Sequence, residues 1–434
     1  MRLLKTAPGR PEFQDFLGDE IPLYAILSHT WGRDEVSYQE ALQYDIERLS
    51  TAAGFKKIDE TRAVAALHGF GWVWIDTCCI DKTSSAELSE AINSMYLWYQ
   101  QSAICYAYLS DVEEGGDESF AASRWFTRGW TLQELIAPEA LIFFDKAWKE
   151  IGTKALLSQR ISAITGISQD ILKGLVGPDD SSIAQRMSWA SQRETTRVED
   201  MAYCLMGLFG VNMPMLYGEG KRAFLRLQEE IIKTSNDHSI FAWKSPGFHP
   251  CNFLAESPSC FADSNDIVPT PNAHAVGDII INNKGIHLDV ETIDLPHPIR
   301  RSWNPSQPRL ERVCVYQSRQ MLVRPCNFAL AKAAEPGNER IFRLIMEKGS
   351  LESPRMLLRA AESGHAALAK VLLNSGVIRD IGDPREVIER TLASGHNHVA
   401  ELISAALREA LRTCPKSRSR TPNLQDAEDV RFHG

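Results

Sequence analysis

No stretch of this chain is apolar for long enough to cross a bilayer as a helix, which takes about 20 predominantly apolar residues. The opening Met1-Arg-Leu-Leu-Lys-Thr lacks the apolar core of a secretory signal. Cysteine is sparse, nine in 434 residues, odd in number and without repeated Cys-x-x-Cys pairs. Neither a disulfide framework nor a metal site is expected, and the thiols read as reduced. Basic runs are missing before the tail and the formal net charge is -9, which argues against a nucleic-acid partner. From these absences a cytoplasmic protein with no membrane span is expected. What is present is ordinary globular composition, 44% hydrophobic and 24% charged. The length exceeds one ordinary core, so two or three domains are expected.

The most informative stretch is Gly71 to Lys82, Gly-Trp-Val-Trp-Ile-Asp-Thr-Cys-Cys-Ile-Asp-Lys. Trp72 to Asp76 reads as a strand apolar on both faces, the pattern of a parallel sheet covered by helices. Asp76, Thr77, Cys78, Cys79 and Asp81 crowd the turn that follows. Ligands of open α/β sheets bind outside the carboxyl ends of strands, so this turn is a candidate site. Asp76 reads equally well as a cap of the next element, and the two cysteines read best as small core residues.

Three more strands are expected at Tyr24 to Ser28, Ile104 to Leu109 and Ala140 to Phe144. Helices alternate with them: Lys56 to His68, stopped at Gly69, and a helix after Ser84 with a capping box closed by Glu87. Trp125 to Leu135 leads into a third, ended by Pro138. The alternation spells a parallel α/β sheet of flavodoxin-like type. Its topology would bring Ser28 and His29, Asp76 and Thr77, Ser110 and Asp111, and Asp145 to one edge. A helical extension should follow to Trp243, with helices at Ile183 to Ser191, Thr196 to Phe209 and Lys221 to Lys233. Gly218-Glu-Gly-Lys-Arg-Ala223 fits a dinucleotide fingerprint in letters only. Pro214 interrupts any preceding strand and no βαβ unit follows, so it reads as a tight turn.

Residues 244–325 read as a linker and a small β-rich segment, with Asn282-Asn283-Lys284-Gly285 as a hairpin turn and a further strand at Val313 to Val323. Residues 326–412 repeat a small-residue helix, a Gly-Asn or Gly-His break at Gly337, Gly364 and Gly395, and a Leu-rich helix. The period is close to the ~33 residues of ankyrin arrays, which these units resemble without the Thr-Pro-Leu-His signature. Residues 413–434 form a basic, Ser-rich tail that reads as disordered.

Five blocks in order resemble one family. Tyr24-Ala-Ile-Leu-Ser-His-Thr-Trp-Gly32, Trp72-Val-Trp-Ile-Asp-Thr-Cys-Cys-Ile-Asp81 and Arg128-Gly-Trp-Thr-Leu-Gln-Glu-Leu-Ile-Ala-Pro138 are similar to the signature blocks of the HET (heterokaryon incompatibility) domain. Arg197 to Leu208 and Leu216 to Phe224 resemble the segment that commonly follows. The resemblance covers residues 1–243 and implies a role in fungal non-self recognition, a form of innate immunity that ends in programmed cell death. The repeats would then sense a protein partner, and the HET domain would associate with itself.

HET domains are in turn related to TIR (Toll/interleukin receptor) domains, some of which hydrolyse NAD with a glutamate. Gly129-Trp-Thr-Leu-Gln-Glu-Leu135 is similar to that helix and places Glu134 at the catalytic position, with Thr131 where the family has cysteine. The resemblance implies NAD as substrate with no bound cofactor, and Ser28, His29, Trp31, Asp76 and Trp130 around it. Glu134 otherwise reads as an exposed residue paired with Arg128 or Lys146. A rival chemistry is a Cys78 or Cys79 nucleophile activated by His29. An enzyme and a module that signals by self-assembly both remain open, and whether Glu134 lies in a cleft or in open solvent discriminates them.

Overall fold

The structure is a computed structural model that describes residues 1–43, 52–114, 117–244, 253–268, 279–282, 285–287, 332–334, 338–348, 353–374 and 384–413. The chain divides into two compact units, Met1–Met321 with Leu344–Ser350, and Leu322–Arg343 with Leu351–Gly434.

The first unit is built on a seven-stranded sheet of order β2-β1-β4-β3-β5-β6-β7. Its centre is the four strands expected from sequence: β3 Ala25–His29, β4 Trp72–Trp74, β5 Ile104–Tyr108 and β6 Leu141–Phe144. They run parallel, with Ile26 opposite both Trp74 and Cys105. Almost every one of their residues is buried, as strands covered on both faces require.

The expectation of a wholly parallel sheet needs correction. β1 Arg2–Lys5 and β2 Phe13–Asp15 add antiparallel beyond β4, and β7 Glu150–Thr153 adds antiparallel beyond β6. These three carry mixed polar and apolar residues and are partly exposed, the pattern of outer strands.

Helices cover both faces. Helix Ala53–His68, closed by Gly69 in the left-handed region, sets His68 Nδ1 2.7 Å from the Tyr106 hydroxyl. Helix Ser85–Gln101 lies against the other face, where the Tyr99 hydroxyl donates to the Leu27 carbonyl at 2.8 Å. Ser84 caps that helix as expected, accepting from Glu87 N at 3.3 Å. Glu87 does not close a capping box. Its carboxylate accepts from Asp81 N and pairs with Arg2 on β1.

The chain runs from β3 to β4 on one side and then crosses to β5 on the other. The winding therefore reverses at β3, the point at which ligands of open α/β sheets bind.

The helical extension packs through Ile183–Ala190 and Arg222–Thr234, with Phe224, Leu227 and Ile231 buried on one face. The helix expected over Thr196 to Phe209 is instead a turn of α-helix, Asp200–Tyr203, and a 3-10 turn, Gly207–Phe209. Residues 253–268 wrap this extension. Buried Gln228 donates to the Ala255 carbonyl at 2.8 Å and accepts from its N–H at 2.9 Å. Antiparallel strands Ile280–Asn282 and Gly285–His287 flank the expected hairpin turn; Asn283, Lys284 and the strand expected at Val313 to Val323 lie outside the described residues.

In the second unit, helices Ser353–Glu362 and Ala366–Asn374 form one hairpin, and Pro384–Ala393 and Asn397–Thr413 form another. Gly364 and Gly395 sit at equivalent breaks with the same backbone pattern. Gly364 N donates to Ala361 O and His365 N to Ala360 O; Gly395 N donates to Leu392 O and His396 N to Thr391 O. Gly337 lies outside the described residues. No helix among the described residues is long and apolar enough to cross a membrane.

Candidate functional site

Ser28 and His29 close β3, and both side chains are buried. Ser28 Oγ donates to Glu134 Oε2 at 2.5 Å and accepts from Trp125 Nε1 at 2.8 Å. Glu134 is therefore neither in open solvent nor paired as a surface residue; it is only 6% exposed. Lys146, the partner considered from sequence, pairs with Glu113 instead.

The helix that carries Glu134, Thr131–Ile136, is short and is fixed at both ends. Thr131 Oγ1 donates to the Trp125 carbonyl, and buried Arg193 donates to Thr131 Oγ1 at 2.9 Å and to Arg128 O at 2.8 Å. Behind the helix, buried Lys154 donates to the carbonyls of Leu135 at 3.1 Å and Pro138 at 2.5 Å. A cation at a helix C-terminus meets the negative end of its dipole. Gly129 lets this segment approach the extension, its N–H donating to Glu194 O at 2.8 Å; a Cβ there would stand 2.5 Å from Thr195 Cγ2.

Burial pushes the Glu134 carboxyl up to about 8, and the Asp76 charge adds to that; Ser28 and Arg128 oppose it. At neutral pH Glu134 is a neutral acid beneath the end of β3.

Above it lies a group of charges. Lys57 Nζ is 2.6 Å from both Glu35 oxygens. His29 lies between two carboxylates, Nε2 3.6 Å from Glu35 Oε2 and Nδ1 3.8 Å from Asp76 Oδ1. These are close approaches rather than hydrogen bonds, and both ring nitrogens, Asp76 Oδ1 and Thr77 Oγ1 are buried without hydrogen-bond partners. Burial, then the Lys57 charge, lowers the His29 pKa, so the ring stays neutral. Burial alone would raise the Glu35 carboxyl, but it lies below its usual range. Neutral His29 offers it no charge, so the Lys57 ammonium carries the electrostatic part.

Trp31 forms the rim, 40% exposed, its Nε1 donating to Asp76 Oδ2 at 2.7 Å. Lys82 Nζ lies 3.8 Å and Arg128 Cζ 5.5 Å from the centre of its ring.

The structure thus gathers Ser28, His29, Trp31, Asp76 and Glu134 at the ends of β3 and β4. Trp130 is directed elsewhere, toward the Asp200 carboxylate of the extension. Asp76 holds Trp31 and, among the described residues, caps no backbone N–H. The other expected strand-end residues serve local turns: Asp111 accepts from Ser123 Oγ and Arg124 N, and Asp145 from Ala147 N and Lys149 N.

The cysteine chemistry is overturned. Cys78 and Cys79 are buried, Cys79 Sγ accepts from Ile75 N at 3.4 Å, and the Cys79 hydrogen bond and burial raise the Cys78 pKa well above its ordinary value. A thiol so held does not supply thiolate. Glu35, Lys57, Lys82, Arg128 and Trp125 escaped the sequence reading. The only signal was position: Glu35 follows the Trp31 block and Lys82 ends the Trp72 block.

The glycine turn of the extension has an explanation of the same kind. Gly218 and Gly220, both at positive φ, donate their N–H groups to Glu199 Oε1 at 2.8 and 3.0 Å. The loop is an anion nest filled by the chain's own carboxylate. Tyr217 donates to Asp200 and Arg226 pairs with Glu219, so the Arg197 and Leu216 blocks are two halves of one latch.

Residues 24–122 match the family model described as Heterokaryon incompatibility protein (HET), and residues 222–272 match a Domain of unknown function (DUF8212). The vegetative incompatibility protein HET-E-1 of Podospora anserina is 47% identical over 249 residues, covering 54% of this chain and 18% of that protein's length. No solved structure matches the chain. The segment similar to the HET model holds β3, β4 and β5 with their carboxyl ends, and so Ser28, His29, Trp31 and Asp76, while Glu134 lies beyond it.

Proposed function

We propose that the first unit is the effector of a fungal vegetative incompatibility response, ending in programmed cell death, and that its strand-end site hydrolyses NAD. The observation that carries this reading is the bond from Ser28, at the end of β3, to Glu134, within reach of the charge of Asp76, which in turn holds Trp31. The order of the four parallel strands, second-first-third-fourth, supports the flavodoxin-like and TIR-like reading of the fold. Similarity to a protein named for vegetative incompatibility supports the biological role.

The chemistry follows from the residues. Cleaving the nicotinamide–ribose bond releases neutral nicotinamide and builds positive charge on the ribose, which a carboxylate stabilises before water adds. Asp76 supplies charge at the rim. Glu134 supplies it once its proton leaves, and its raised pKa of about 8 keeps that within reach near neutral pH. Trp31 offers a face for the nicotinamide or adenine ring. The helix hairpins of the second unit act in this reading as an ankyrin-like sensor of a protein partner. The whole works in the cytoplasm, without a resident cofactor.

The test is incubation of the full chain with NAD and measurement of nicotinamide. Release that falls ~10²–10³-fold in Glu134→Gln, the usual cost of a lost electrostatic contact in a transition state, supports the reading. A second reading rests on the burial of Glu134. The HET domain would then act by self-association alone. No nicotinamide release, together with concentration-dependent oligomers in light scattering, would favour it.

A further inference from the structure

The rim of the site holds two cations without ion-pair partners. Several other basic side chains of the unit sit in ion pairs, Lys57 with Glu35, Arg124 with Asp111, Lys146 with Glu113 and Lys149 with Glu114, and buried Lys154 and Arg193 are taken up by carbonyl and hydroxyl oxygens. Among the described residues, neither Lys82 nor Arg128 has a carboxylate within the 4.0 Å of an ion pair. Lys82 Nζ reaches only the Thr77 carbonyl, at 3.5 Å, and the Trp31 ring. Both cations are half-buried and centre on one indole, in a chain of net charge -9. Burial lowers the Lys82 pKa; the Asp76 and Glu35 charges, beyond ion-pair reach, oppose this, and the Arg128 charge adds a smaller lowering. Converging like charges are unfavourable unless an anion joins them.

We propose that Lys82, Arg128 and Trp31 form the binding site for the diphosphate of a nucleotide. A guanidinium presents a planar fork to two phosphate oxygens, and an ammonium acts as a point charge on a third. The indole is held in place by Asp76 and gives an adjoining ring a surface to stack on. A carboxylate, with one negative charge, would leave one cation unanswered, whereas a diphosphate brings charge and oxygens for both. That the nucleotide is NAD rests on the proposed function; the anion site itself rests on the two unpaired cations.

The test titrates ADP and inorganic pyrophosphate calorimetrically into the full chain at low salt. ADP should bind, more weakly as salt rises, and Lys82→Gln and Arg128→Gln should each weaken it ~10- to 100-fold, the worth of a hydrogen bond to a charged group. Lys82→Arg keeps the charge and should keep most of the affinity, and Arg128→Lys, which keeps the charge and loses the fork, should fall between the parent and Arg128→Gln; that order separates lost charge from lost folding. Pyrophosphate binding as tightly as ADP would identify a site for free diphosphate rather than a nucleotide. Absence of binding by either, or equal binding to parent and charge-removing variants, overturns the proposal. The enzyme reading fails separately. If nicotinamide is released with the same KM in Lys82→Gln, this site is wrong and the enzyme stands. If none is released but ADP binding depends on Lys82, the enzyme is wrong and the site stands.

Discussion

Glu134→Gln is the most informative single change, because it tests a physical claim before any enzymatic one. A carboxyl with an ordinary value of 4.5 that sits at about 8 when folded keeps its proton in the native state while the unfolded chain loses it. Between those values the native state binds more protons, so stability falls as pH rises. Each tenfold difference in proton affinity between the two states is worth about 1.36 kcal/mol. Between pH 5 and pH 8 the parent should lose roughly 3–4 kcal/mol from this residue alone. Glutamine cannot ionise. Its changed hydrogen bonding with Ser28 alters stability by an offset that does not depend on pH.

The quantity to measure is therefore the difference between parent and Glu134→Gln, by urea unfolding at pH 5, 6, 7 and 8. Tryptophan fluorescence reports the first unit, since all ten tryptophans precede residue 304. The variant should gain on the parent steadily as pH rises and should be the more stable of the two at pH 8. Parallel curves, with a difference constant to within about 1 kcal/mol across that range, would mean that Glu134 is not held neutral. The buried-acid account of the site would then be wrong.

Four further outcomes are expected. If Glu134 is the carboxylate of the reaction, nicotinamide release should climb as pH rises through about 8; a flat profile would point to Asp76. Gly129→Ala places a Cβ against Thr195 and Cys204 and should lower stability by ~1–3 kcal/mol, measurable by urea unfolding; an unchanged midpoint would refute the close-approach argument. Glu199→Ala empties the nest of Gly218 and Gly220 and should lower the midpoint of the first unit, with added sulfate restoring part of it. A fragment ending at residue 243 should melt below one ending at 268, because Gln228 loses both of its bonds to Ala255; equal melting would show that the wrap is dispensable.

The sequence made the centre of the fold legible because runs such as Ile104 to Tyr108 and Leu141 to Phe144 can be buried on both faces only in a covered parallel sheet. The outer strands were hidden for the converse reason. Arg2–Lys5, Phe13–Asp15 and Glu150–Thr153 are short and mix charge with apolar residues, and only their neighbours in the sheet make them strands. The site divides along a similar line. Positions fixed by the backbone, such as Ser28, His29 and Asp76, could be placed from the strand ends. Trp130 could not, because its place around a short helix sends it to Asp200 while Glu134 goes to Ser28. What the linear pattern also cannot carry is charge balance. Arg128 reads in sequence as a partner of Glu134, and folding gathers it with Lys82 onto one indole ring. Glu199 shows the opposite case: a glycine turn with the letters of a phosphate loop is already filled by a side chain. The loop that looks like an anion site is closed, and the rim that carries no such signature holds two cations with no ion-pair partner among the described residues. An anionic ligand for this unit should therefore be sought at Trp31, where binding would relieve a repulsion, and not at Gly218, where it would have to displace Glu199.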